Sequence, residues 1–142
     1  MIKHILVPYD GSDPANNALE FATELAKLYE ASVTVAICIV IHAHVDPVLS
    51  VAFLETIKLQ KEDAKKSLSK VESKLKELGI QFKTEVLEAI SITDVLVSYA
   101  ESHNVDFIII GSRGLGGFKK LLLGSVASGV SQHSKCPVLI VK

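Results

Sequence analysis

Apolar residues recur along this chain in two rhythms, one of short unbroken runs and one of steps of three and four. Ile2 to Val7 is an apolar run that ends in the turn cluster Pro8-Tyr9-Asp10-Gly11-Ser12, which predicts a strand and then a loop. Beyond it Ala15, Ala18, Leu19, Ala22, Leu25, Ala26 and Tyr29 keep helical spacing, so an amphipathic helix follows. Ser12 or Asp13 is placed to cap that helix, and Pro14 falls in its first turn, where a missing N–H is harmless. Val33 to Ile41 is a continuous β-branched run, the pattern of a strand covered on both faces in a parallel sheet.

His42 to Pro47 connects this strand to a long helical pattern that runs from about Val48 to Leu78 and stops at Gly79. Within it Ala64, Leu68, Val71, Leu75 and Leu78 form one buried stripe, and the lysines and glutamates between them form a solvated face. Gln81 to Leu87 alternates like a more exposed strand, and Ser91 or Thr93 opens a third helix through Ser102. Asp106 to Gly111 is a second fully apolar strand, followed by a glycine-rich segment, a short helix over about Ser125 to Ser134, and a closing strand from Pro137 to Val141.

Strands and helices thus alternate throughout. Parallel strands need crossovers and the helices supply them, so the pattern predicts a single α/β domain over residues 1–142 with a five-stranded parallel sheet and helices on both faces. Right-handed crossovers with one switch between the first and fourth strands give the order 3-2-1-4-5.

Composition narrows the function classes. The chain has 142 residues, 49% of them hydrophobic and 22% charged, which excludes disorder for most of its length. With 15 basic and 16 acidic residues the formal charge is −1, so no global attraction to nucleic acid or anionic lipid exists and any phosphate must be held locally. No basic leader precedes Ile5 to Val7, and no apolar run approaches the roughly 20 residues that span a bilayer; a cytoplasmic protein is expected. Cys38 and Cys136 lack any Cys-x-x-Cys spacing and read as free, buried small hydrophobes. The predicted strand order sets them three strand spacings apart, roughly 14 Å, beyond disulfide reach.

Ligands of open parallel sheets bind beyond the carboxyl ends of the strands. Three segments fall there: 8–12, 40–46 and 111–125. The third contains Gly111, Arg113, Gly114, Gly116, Gly117, Gly124 and Ser125, with Lys119 and Lys120 between. Its glycines suit an anion-binding nest, and Gly124-Ser125 lies where the last helix begins, so its free amides face a phosphate. The bland alternative is a flexible turn with Ser125 as an N-cap. A carboxylate at Asp10 is an acceptor suited to ribose hydroxyls or an adenine amine, against a local Asx-turn. Gly-x-Gly-x-x-Gly is absent after the first strand, as is a Gly-Lys-Ser/Thr loop, which argues against dinucleotide and ordinary P-loop chemistry.

The spacing Gly111-x2-Gly114-x9-Gly124-Ser125, with Val-Pro-Tyr-Asp-Gly-Ser at 7–12 and Cys-Pro-Val-Leu-Ile-Val at 136–141, resembles the universal stress protein family over the whole chain. The glycine signature is that of the family's ATP-binding members. The resemblance implies a Rossmann-like domain in which Pro8, Asp10, Gly11 and Ser12 contact the nucleoside. It further implies that Gly111, Gly114, Gly124, Ser125 and Val126 contact phosphate, with Arg113 nearby, and that adenine rests about Val40 and Ile41. The implied ligand is ATP, or AMP or ADP, with magnesium held through the phosphates. A homodimer paired through the strand at 138–141 and an unidentified protein partner are also implied.

Other classes fare worse. A structural dimer with an empty cleft needs neither Asp10 nor the glycines. An adenylating hydrolase needs a Ser-Gly-Gly-type loop after the first strand, and a phosphoacceptor receiver needs an acidic cluster there; neither is present. Ser12 and Ser125 have no histidine partner, so no catalytic residue is assigned, and no acidic residue or glutamine in 111–126 would position a water for hydrolysis. His42, His44 and Asp46 alternate, a spacing compatible with zinc or nickel if extended, but His4, His103 and His133 complete no site, and solvated loop residues are the expected reading.

Overall fold

The computed structural model describes residues 1–42, 50–116 and 122–142. Strands β1 (His4–Pro8), β2 (Ser32–Val40), β3 (Phe82–Ala89), β4 (Phe107–Gly111) and β5 (Val138–Val141) alternate with helices α1 (Asp13–Tyr29), α2 (Ser50–Glu77), α3 (Ile92–Ser102) and α4 (Ser125–His133). All neighbouring strands run parallel, in the order β3-β2-β1-β4-β5 that the connectivity predicts. β1 begins two residues later than the apolar run suggests and extends through Pro8. Proline is tolerated because it stands at the strand's last position.

The period of two along the strands divides the core. Ile5 and Val7 of β1 join α1 and α2 in one cluster with Leu19, Leu68 and Leu75, while Leu6 joins α3 and α4 on the other face with Leu96, Ile108 and Val130. The α2 stripe is buried at Ala64, Leu68, Val71 and Leu75, and Leu78 lies half-buried past the helix end. α3 and α4 approach closely because residue 129 is glycine: a Cβ there would lie 2.6 Å from Thr93 Oγ1. That contact gives Thr93 its place, and the cap of α3 is Ser91, whose hydroxyl accepts from the Asp94 amide at 3.3 Å.

Cys38 and Cys136 are free and half-buried rather than buried, both against the α3–α4 face. Among the described residues, no helix is long and apolar enough to cross a membrane.

Candidate functional site

The carboxyl ends of β1, β2 and β4 carry the predicted site. β1 turns at Asp10 and Gly11. Gly11 has φ +81°, a left-handed conformation that glycine adopts without steric cost. Within this turn the Asp10 carboxylate accepts from the Ser12 amide at 3.0 Å, so the Asx-turn is present. Ser12 is the N-cap of α1; its hydroxyl accepts from the Ala15 amide at 3.3 Å and is buried. Tyr9 donates to Asn16 Oδ1 at 2.7 Å, and its phenol is pushed above its ordinary value by burial and then by the charge of Asp10.

The glycine-rich segment is pinned at both ends. Gly111 closes β4 against the first turn of α1, and the next residue, Ser112, is buried. The Ser112 amide donates to the Val141 carbonyl at 2.6 Å, and its carbonyl accepts from the Gly124 amide at 2.5 Å. The segment therefore leaves and re-enters the fold through one hydrogen bond. Asp10 ties it a second time, for its other oxygen accepts from the Leu115 amide at 3.0 Å. Composition alone gives no signal for that contact, which spans 105 residues.

Among the described residues the only glycines at positive φ are Gly11 and Gly79. Gly111, Gly114 and Gly124 are instead places of close approach. The Gly124 amide, expected to face a phosphate, is spent on Ser112. What remains is the start of α4. Gly124 is its N-cap, and no side chain caps it. The amides of Ser125, Val126 and Ala127 are thus the first-turn donors an α-helix leaves without a partner inside the helix, at its positive end. Ser125 is exposed and Val126 half-buried.

Val40 ends β2 and is 41% exposed, and Ile41 follows it with its amide on the Ala89 carbonyl at 2.8 Å. Pro8, Asp10, Gly11, Ser12, Val40, Ile41, Gly111, Arg113, Gly114, Gly124, Ser125 and Val126 therefore all lie at one end of the sheet. Lys119 and Lys120 lie outside the described residues, as do His44 and Asp46 of the metal spacing. His42 packs near Phe53, with ring centroids 6.0 Å apart. Among the described residues, no group of three or more histidine, cysteine or acidic side chains is placed to hold a metal. His4 is occupied elsewhere, sharing hydrogen bonds with Thr34 Oγ1 at 2.8 Å and the His103 carbonyl at 3.1 Å.

A cavity of about 460 Å³ opens at the opposite end of the sheet, between the end of α3 and the start of β5, beside Asn104 and Cys136. None of the candidate residues line it, and its charged lining residues, Glu101 and Lys135, pair with each other at 3.3 Å.

Known proteins are similar to this chain in sequence and in fold. The universal stress protein YxiE of Bacillus subtilis is 34% identical over 154 aligned positions, covering 100% of both chains. The solved structure of the universal stress protein UspA from Lactobacillus plantarum superposes with a TM-score of 0.92 at 26% identity, covering 99% of this chain and 97% of that one. A universal stress protein solved in complex with cAMP is similar at 25% identity and a TM-score of 0.67, over 99% of this chain and 96% of that one. The model of the Universal stress protein family matches residues 1–142, and the chain belongs to that family.

Proposed function

We propose that this chain binds an adenine nucleotide, ATP with magnesium held through its phosphates, in the cleft at the carboxyl ends of β1, β2 and β4. It then acts as a nucleotide-dependent sensor that changes conformation or partner in the cytoplasm. The observation that carries this reading is the start of α4: an N-cap glycine with no side-chain cap, beside a loop tied to the β1 turn. Such a helix end offers backbone donors and a positive dipole to an anion. The Asp10 carboxylate has lone pairs beyond the two that its amide partners use, which leaves acceptors for a sugar hydroxyl or an adenine amine. The relative solved with cAMP supports the adenine class.

Arg113 supplies charge near the phosphates, while Val40 and Ile41 offer an apolar surface for the base. The same groups bind without reacting. The segment 111–126 has no acidic residue or glutamine to orient a water, so turnover is slow or absent.

Denaturing the purified protein and identifying released small molecules by mass spectrometry tests the proposal, followed by calorimetry of the emptied protein with ATP, ADP and AMP. A bound adenine nucleotide, or micromolar binding of one, is the expected result. Absence of both would leave the structural dimer with an empty cleft as the better reading. A steady-state turnover above about 1 per second, the low end of ordinary enzymes, would make the protein an ATPase instead.

A further inference from the structure

We infer that residue 114 is glycine because of Asp10 rather than because of a bound phosphate, and that Asp10 is the positioning residue that fixes Gly114 and Leu115 over the β1 turn. A Cβ added at Gly114 would lie 2.5 Å from Asp10 Oδ2 and 3.7 Å from its Cγ, and no other heavy atom of the described residues outside its chain neighbours lies within 4 Å. Gly114 is not at positive φ, so its backbone accepts a side chain without strain. Among the described residues, the obstacle to a Cβ at 114 is therefore one carboxylate.

That carboxylate is held in place from both sides. One oxygen accepts from the Ser12 amide and the other from the Leu115 amide, each at 3.0 Å. Leu115 itself is 74% exposed, so its side chain contributes little packing to hold the loop, and the hydrogen bond does the fixing. Moving the carboxylate to relieve a Cβ at 114 breaks the bond to the very next residue. Asp10 and Gly114 are one device: the glycine admits the carboxylate, and the carboxylate sets where Leu115 sits. An asparagine at 10 has one oxygen and an NH2 group in place of two acceptors, so it keeps one amide partner and repels the other.

The test is a double-mutant cycle on the full chain: wild type, Asp10→Ala, Gly114→Ala and the double variant, with Asp10→Asn as the conservative comparison. The first readouts need no nucleotide: hydrogen exchange and the NMR resonance of the Leu115 amide, and the urea midpoint. Both single substitutions should expose the Leu115 amide, Asp10→Asn should do so partially, and Gly114→Ala should change nothing further once Asp10 is alanine. Equal effects of Gly114→Ala in the two backgrounds would overturn the inference.

The second readout rests on the nucleotide reading above. Gly114→Ala should weaken ATP binding about tenfold in the wild-type background, the scale of one hydrogen bond to a charged group, and less than about twofold in the Asp10→Ala background. A tenfold loss in both would assign residue 114 to the phosphate and overturn the proposal. If wild type binds no ATP, the nucleotide reading fails, and the Leu115 and urea readouts still decide this one.

Discussion

Gly111 at the end of β4 lies against Ala15 in the first turn of α1, so closely that a Cβ on Gly111 would be 2.8 Å from the Ala15 amide nitrogen. The neighbouring Pro14 carbonyl carbon is equally near, at 2.8 Å. Both obstacles are backbone and cannot rotate away. This contact sets the start of α1 against β4, and so positions the β1 turn relative to the glycine-rich segment.

Gly111→Ala should therefore destabilise the fold by about 1–3 kcal/mol through overpacking, read as a lower urea midpoint with an unchanged slope. Gly11→Ala makes the contrast. It meets no heavy atom of the described residues within 4 Å, and its cost, about 1–2 kcal/mol, comes from holding an L-residue at φ +81°. A wild-type midpoint for Gly111→Ala would mean that α1 shifts freely on β4.

The start of α4 gives a prediction about phosphate alone. Ser125 is the first helical residue, and Gly124 before it is extended at φ −75° and ψ 163°, the conformation a residue preceding proline prefers. Ser125→Pro is thus compatible with the helix while removing one first-turn N–H and the hydroxyl together. Ser125→Ala removes the hydroxyl and keeps the N–H. The expected outcome is a loss of about tenfold in ATP affinity for the proline variant, a smaller loss for alanine, and unchanged binding of adenosine in both. Equal loss of ATP and adenosine would move the phosphate elsewhere.

The fold was legible because its determinants are local and periodic. The β-branched run of β2, the stripe of α2 and the Ser12 cap with Pro14 behind it each follow from neighbouring residues, and the strand order follows from their alternation. The candidate site was legible as a set of segments, not as a set of contacts. Asp10 to Leu115 joins residues 105 apart, and the Gly129–Thr93 contact joins two helices; no spacing rule carries either. The glycine spacing marked Gly111 and Gly114 as a candidate loop but carried no sign of their close approach to Pro14, Ala15 and Asp10.

Cys38 gives a pH dependence. Burial pushes its thiol from 9.0 up to about 11. The folded protein then holds the proton more tightly than the unfolded chain, so this contribution to stability is full below pH 9 and is lost as pH rises from there through about 11. Stability should fall by roughly 2 kcal/mol across that window. The tyrosines Tyr9 and Tyr99 are raised mainly by burial and steepen the fall. Cys38→Ser should flatten it in urea titrations at pH 8 and 11. Rapid alkylation of native Cys38 at pH 8 would contradict the raised value.

The two edges of the sheet predict how copies of the chain associate. β3 carries Lys83, Glu85 and Glu88 on one edge, with Lys83 paired to Glu85 at 2.8 Å and Glu88 paired to Lys61 of α2. Such an edge resists another strand. β5 is Val138-Leu139-Ile140-Val141, with no charge until Lys142. The carbonyls of Pro137, just before the strand, and of Val141 accept from Ile108 and Ser112 of the β4 side. Backbone groups of a strand alternate in direction, so those of Val138 and Ile140 point outward, away from β4. We expect a homodimer in which two copies of β5 pair about a twofold axis through these groups. Ile140→Pro removes an outward N–H while sparing every bond to β4, since proline is admissible on an edge with its nitrogen facing solvent. Sedimentation should show a wild-type dimer at micromolar concentration and a monomer for Ile140→Pro with its circular dichroism intact. A wild-type monomer, or a dimer indifferent both to Ile140→Pro and to deletion of residues 137–142, would place the association on another surface.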